Sequence, residues 1–190
     1  MNAPSKNIVL IGMRGSGKSA IGCALAKFLD FEFMDVDREL EKTEGMKISE
    51  IVEKHGWRHF RDLETKYVKK AAAKNQTVIA TGGGVILRRE NIANLKKGGI
   101  VVFIHAPLDR LARRVSRNKN RPSLTGKSPH EELEEVWQQR EKIYREAANI
   151  EVFFDFETKN KEADLLRKSK MILKAVESTP RLSVEFFAKT

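Results

Sequence analysis

Five short apolar runs punctuate the chain, at 7–11, 31–34, 77–80, 100–104 and 152–154. They are rich in Val, Ile and Phe, and runs of this length and composition predict strands, the one at 100–104 most clearly a buried core strand. Between the runs the period changes to a helical one. Residues 19–29 place apolar side chains at 21, 24, 25, 28 and 29, the spacing of one helix face. Short helices are predicted over 38–43 and 48–55, broken by Gly45 and Gly56. A longer one follows from the stretch after Gly56 through Ala73, with Phe60, Leu63, Tyr67 and Val68 on its apolar side. Further helices are predicted at 89–95, from Pro107 and Asp109 through Val115, at 128–145 and at 161–176. Ser128, Pro129 and Glu131 have the order of a capped helix start. Strands separated by helices, with no internal repeat, predict one α/β unit built on a parallel sheet.

Composition narrows the class. At 190 residues the chain fits a single domain, 1–190, and 41% hydrophobic residues suffice for a core. Lys and Arg number 36 against 26 Asp and Glu, a formal net charge of +10. That excess suits nucleic acid, a membrane surface or small polyanionic substrates, but there is no run of five or six like charges to suggest a nucleic-acid arm. Cys23 is the only cysteine, so no intrachain disulfide is expected, and it reads as a small core residue. Residues 1–7 form a polar leader without a signal-type apolar segment, and no run approaches the roughly 20 residues needed to span a bilayer. A cytoplasmic setting without a membrane partner is expected. The tail, 177–190, has no role fixed by its sequence, although Val184, Phe186 and Phe187 could pack back onto the body.

The chemistry centres on Gly12-Met13-Arg14-Gly15-Ser16-Gly17-Lys18-Ser19, set between the first predicted strand and the first helix. This is the phosphate-loop pattern in its required context. Its glycines let backbone N–H groups point inward around a phosphate chain, and the helix adds the positive end of its dipole. Lys18 would reach the β- and γ-phosphates, and the Ser19 hydroxyl would sit on Mg²⁺. Asp35 and Asp37 follow the second strand. Two apart on extended chain, they would face one space and handle metal and a hydroxyl; the alternative is a helix N-terminal cap. Gly82-Gly83-Gly84 leaves the third strand, either to let backbone approach a ligand or as a loose loop. Arg61 and Glu64, three apart, are a helix-surface pair by spacing alone, and Arg58 and Arg61 could meet a small anion. His55 and His59, four apart, lack a third ligand, so metal binding there is not expected. Arg113, Arg114, Arg117, Lys119, Arg121 and Lys127 crowd a segment with Pro122 and Gly126, a basic flap for a polyphosphate or a solvated loop. These pieces suit an ATP-dependent kinase acting on a small, acidic, hydroxylated metabolite.

With those residues in view, the chain resembles the shikimate kinase family. The resemblance rests on residues 12–19, Met-Asp-Val-Asp at 34–37, Phe-Arg-Asp-Leu-Glu at 60–64, the glycines at 82–84, Arg-Pro-Ser-Leu at 121–124 and Gln-Arg-Glu-Lys-Ile-Tyr-Arg at 139–145. It covers roughly residues 7 to 176. It implies the three-layer α/β/α P-loop kinase fold: a central, five-stranded parallel sheet, a small helical substrate-binding insertion at 38–64 and a mobile lid at 115–130. It also implies transfer of the ATP γ-phosphate to the 3-hydroxyl of shikimate, in chorismate and aromatic amino acid biosynthesis. Lys18 then corresponds to the catalytic lysine, Ser19 and Asp35 to the magnesium ligands, and Asp37 to the residue that holds the hydroxyls and serves as base. Arg61 and Arg140 match the arginines that grip the carboxylate, Glu64 the residue that positions Arg61, and Gly82, Gly83 and Gly84 the glycine run beside the substrate. Gly12, Arg14, Gly15, Ser16, Gly17 and Ala20 fall in the nucleotide cradle, with Arg114 against adenine and Arg121 on the transferring phosphate. Ala20 and Arg14 depart from the family's commoner residues, a threonine and a proline or small residue. A monomer that binds no nucleic acid is expected. The rival readings are a gluconate kinase, a nucleoside monophosphate kinase, or a basic nucleic-acid-binding ATPase.

Overall fold

Every residue of Asn7–Ile11 is buried, and this strand, β1, occupies the middle of the molecule. Alternation sends Val9 and Ile11 into the apolar cluster on one face of the sheet, and Ile8 and Leu10 into the cluster on the other. Asn7 is the polar exception. Its Nδ2 donates to Lys74 O at 2.6 Å and Gly98 O at 3.1 Å, and its Oδ1 accepts from Thr77 N at 3.0 Å. It thereby satisfies groups at the start of the neighbouring strands that burial would otherwise penalise.

The structure, a computed structural model, describes residues 6–116 and 128–179. In chain order β1 is followed by α1 (Lys18–Leu29), β2 (Glu32–Asp35), α2 (Val36–Glu44), α3 (Ile48–Ala72), β3 (Thr77–Ala80), α4 (Arg89–Gly98), β4 (Gly99–His105), α5 (Leu108–Ser116), α6 (Pro129–Ala147), β5 (Ile150–Phe153) and α7 (Lys161–Glu177). A 3₁₀ turn, Val85–Leu87, precedes α4. The five strands are parallel, in the order β2-β3-β1-β4-β5. One cluster joins the sheet to α1 and α7, and the other joins it to α2, α3, α4, α5 and α6, giving the three layers the sequence predicts.

The strand order sets the position of the site. From β1 the chain crosses past β3 to β2, and from β3 it crosses back past β1 to β4. Where such connections diverge, a crevice opens at the carboxyl ends of the strands. Leu10 pairs with Ala80 and Ala80 with Asp35. The phosphate loop, the triple glycine and the Asp35–Asp37 stretch therefore leave the sheet side by side.

Several boundaries differ from expectation. α2 begins at Val36, so Asp37 lies in a first helical turn, and the strand alternation inferred for Asp35 and Asp37 does not hold. The 48–55 and post-Gly56 helices form one run, kinked at Gly56, whose φ of 78° and ψ of 168° leave the helix. The last strand starts two residues earlier than predicted, and Phe154 lies beyond it yet remains buried. Cys23 is half-buried rather than a core residue. Phe28, placed on the apolar face of α1, is 49% exposed. Arg121, most of the predicted lid and the tail from 180 lie outside the described residues.

Candidate active site

The phosphate loop is shaped by glycine. Gly15 and Gly17 hold φ of 81° and 92°, in the left-handed region. Gly17 is also the N-cap of α1 and offers no side chain to its first turn, so the helix end is suited to an anion. Lys18 is only 8% exposed. Its Nζ donates to Gly12 O at 2.7 Å, Met13 O at 2.9 Å and Ser16 Oγ at 3.3 Å. These three bonds use the ammonium's three donors and offset its burial. From α5, the Arg114 guanidinium donates to Gly15 O at 3.0 Å and pairs with Glu157. Burial, with Arg110 nearby, holds its pKa below the usual arginine value.

Asp35 is the N-cap of α2 and also faces the phosphate loop. As N-cap of α2 its carboxylate accepts from Arg38 N at 3.3 Å, while its Oδ2 accepts from Ser19 Oγ at 2.5 Å. The hydroxyl and carboxylate thus present paired oxygens at the foot of the phosphate loop, a donor set that fits Mg²⁺, which takes one or two protein oxygens together with substrate phosphates. Among the described residues no group of three or more His, Cys, Asp and Glu is placed to hold a metal. The His55 and His59 rings simply pack 5.0 Å apart.

The triple glycine is the joint of the site, because each residue meets a different functional part. A Cβ on Gly82 would stand 2.7 Å from Asp37 Oδ1; one on Gly83, 3.3 Å from Arg14 N; one on Gly84, 2.3 Å from Arg61 Nη2. Close approach, rather than a loose loop, explains the glycines. Arg61 Nη1 donates to both carboxylate oxygens of Glu64 at 2.8 Å. Its guanidinium also lies 5.0 Å from the Phe60 ring and 5.4 Å from the Trp57 ring. Spacing alone presented Arg61–Glu64 as a surface pair, yet Glu64 is 1% exposed. Arg58 is exposed and, among the described residues, makes none of these contacts.

From α6, the Tyr144 hydroxyl donates to Gly83 O at 2.5 Å. Arg140 lies near the same hydroxyl, and its charge acts on it together with those of Arg61 and Glu64, so both arginines adjoin Tyr144. Burial pushes the Tyr144 pKa far up and keeps the phenol neutral. Burial likewise raises Glu64, with Arg61 opposing and the Asp37 charge adding to the rise. Asp37, Arg61, Glu64 and Arg140 therefore lie beside the phosphate loop: two carboxylates, two guanidiniums and backbone glycines next to a glycine-rich loop. Such a grouping can hold a carboxylate-bearing molecule and present its hydroxyl to a phosphoryl group. The sequence reading missed the functional placement of Tyr144, one turn after Arg140 on the same helix, and of Glu132, which pairs with Arg14.

Comparisons with known proteins point to one family. The sequence model of the shikimate kinase family matches residues 14–173. A shikimate kinase of Thermodesulfovibrio yellowstonii is 45% identical over 142 residues, 75% of this chain and 82% of that protein. One from Caldanaerobacter subterraneus is 43% identical over 140 residues, 74% of this chain and 82% of that protein. The structure of shikimate kinase from Acinetobacter baumannii in complex with shikimate superimposes with a TM-score of 0.84 at 34% identity, covering 91% of this chain and 93% of that one. A gluconokinase from Sinorhizobium meliloti reaches a TM-score of 0.54 at 19% identity, a likeness of fold alone.

Proposed function

The chain belongs to the shikimate kinase family, and from that premise we propose how its residues carry out the family's reaction: transfer of the γ-phosphate of ATP to the 3-hydroxyl of shikimate, releasing ADP. The observation that carries this reading is the convergence of Asp37 and Arg61 on the glycine triplet beside the phosphate loop, with Arg140 next to the tyrosine that holds that triplet. Arg61 and Arg140 hold the shikimate carboxylate, for which the planar guanidinium fork is suited. Glu64 braces Arg61, and the glycine triplet lets the substrate approach backbone. Asp37 orients the 3-hydroxyl and accepts its proton as the oxygen attacks the γ-phosphorus and the bond to the β-phosphate oxygen breaks.

Gly12, Arg14, Gly15, Ser16, Gly17 and Ala20 form the nucleotide cradle. Lys18 binds the β- and γ-phosphates, Arg114 lies against adenine, and Ser19 and Asp35 hold Mg²⁺. When bound, the ion would supply positive charge to offset the charge developing on the phosphates. Arg121, outside the described residues, is assigned to the transferring phosphate on family resemblance alone. We take residues 1–190 as one kinase domain, with the insertion at 38–64 and the lid at 115–130. We propose that it acts as a monomer. No nucleic-acid or membrane partner is proposed; among the described residues no helix is long and apolar enough to cross a membrane.

The test is a coupled ADP-release assay with Mg²⁺ and shikimate, quinate, gluconate or no acceptor. Shikimate-dependent turnover is expected, with far weaker release for the other conditions. Arg61→Ala should weaken shikimate binding by about 2–5 kcal/mol, the range for losing one partner of a buried charge pair, and leave ATP binding nearly unchanged. Acceptor-independent turnover, or equal weakening of both ligands in that variant, contradicts the reading.

A further inference from the structure

Helix α6 touches both halves of the site. In its first turn Glu132 is 1% exposed, and its carboxylate pairs with the Arg14 guanidinium of the phosphate loop. From there to Tyr144 the helix runs about 18 Å at 1.5 Å per residue. The Tyr144 hydroxyl holds Gly83 O, and its ring stacks on Phe103 with centroids 4.9 Å apart and planes 4° from parallel. Gly83 in turn lies against the Arg14 backbone. These contacts close a ring: from the Arg14 side chain to Glu132, along α6 to Tyr144, across to Gly83 and back to Arg14 N. The phosphate loop lies on it, α6 carries Arg140, and Arg61 stands beside the next glycine, Gly84.

The ring is stiff for physical reasons. A carboxylate as buried as Glu132 is costly unless ionically paired, and its place in the first turn of α6 adds a favourable dipole. Arg14 cannot move without disturbing that carboxylate. At the other end, Tyr144 is 0% exposed and held by its hydrogen bond as well as its ring. A shift of the phosphate loop on binding nucleotide is therefore passed to α6, the helix that also carries Arg140.

We infer that Arg14 and Glu132 form a positioning pair that couples the two subsites, so that ATP and shikimate each bind more tightly when the other is present. This rests on the kinase reading above. Glu132 touches neither substrate and acts through Arg14 and α6. The unusual arginine in the phosphate loop thereby acquires a partner and a task.

The experiment is calorimetric titration of the full chain with the Mg²⁺ complex of a non-hydrolysable ATP analogue, with and without saturating shikimate, and the reverse titration. The wild type should show a coupling factor of at least about fivefold, equal in both directions because linkage is reciprocal. In Glu132→Gln and in Arg14→Gln the factor should fall to within about twofold of unity, and the double variant should be no worse than either single one, as expected of residues in one link. Undiminished coupling in the variants, additive losses in the double variant, or no coupling in the wild type would overturn the inference. If both ligands bind independently, the coupling fails while the kinase reading stands; if neither binds, the kinase reading fails as well. Should Glu132→Gln lose its cooperative melt, the half-buried Arg14→Gln carries the test.

Discussion

Two glycines separate space for folding from space for chemistry. A Cβ on Gly12 would stand 2.2 Å from the backbone oxygen of Ile104, at a φ of 147°. Neither group can yield, so Gly12→Ala should destabilise the fold by about 1–3 kcal/mol, as overpacking does. A Cβ on Gly84 would meet only the far end of the Arg61 side chain, at 2.3 Å. Gly84→Ala should therefore melt near the wild-type temperature while the KM for shikimate rises about tenfold, equivalent to ~1.4 kcal/mol. Melting curves with steady-state kinetics of the two variants distinguish these outcomes; a Gly84→Ala enzyme with normal KM would show that Arg61 is not held against that glycine. Glu64 allows a test by pH. Its carboxyl is raised by burial above the ordinary value of 4.5. The unfolded chain therefore loses this proton first, so the contribution of Glu64 to stability falls as pH rises from about 4.5 and is fully lost above the folded value. Wild type should lose stability relative to Glu64→Gln over that window, and parallel melting temperatures across pH would contradict it.

At the scale of elements, α6 touches the phosphate loop through Glu132 and the glycine triplet through Tyr144. It opens with a reciprocal cap: Ser128 Oγ accepts from Glu131 N at 3.3 Å, and Ser128 N donates to Glu131 Oε2 at 3.1 Å. Ser128→Ala should cost about 1 kcal/mol, read as a shift in the urea midpoint with unchanged slope. That start was legible because capping is local chemistry written in three residues. The Asp35–Asp37 stretch was not, because a helix starting two residues earlier than predicted puts Asp37 in its first turn instead of on extended chain. Strand alternation suggested the right neighbours for the wrong reason: Asp37 reaches the site from a helical turn, against Gly82. The burial of Glu64 was equally hidden in spacing, since it depends on packing that three residues of one helix do not specify.

Across the whole molecule, β1 at the centre of the order β2-β3-β1-β4-β5 decides where chemistry can happen. The parallel sheet was legible from five short apolar runs and the helices between them, because strands buried on both faces leave that pattern. The strand order was not, because apolar runs do not specify neighbours. The order brings the exits of β1, β2 and β3 to one crevice, and with them the phosphate loop, Asp37 and the glycine triplet. The central claim is that these open onto a single space, a hydroxyl away from the terminal phosphate. Phosphorus NMR of the product formed from ATP, Mg²⁺ and shikimate tests it most directly. The account predicts one phosphate monoester whose phosphorus couples to the proton at carbon 3, formed together with ADP. Inorganic phosphate without ester, or a mixture of esters at different hydroxyls, would contradict it.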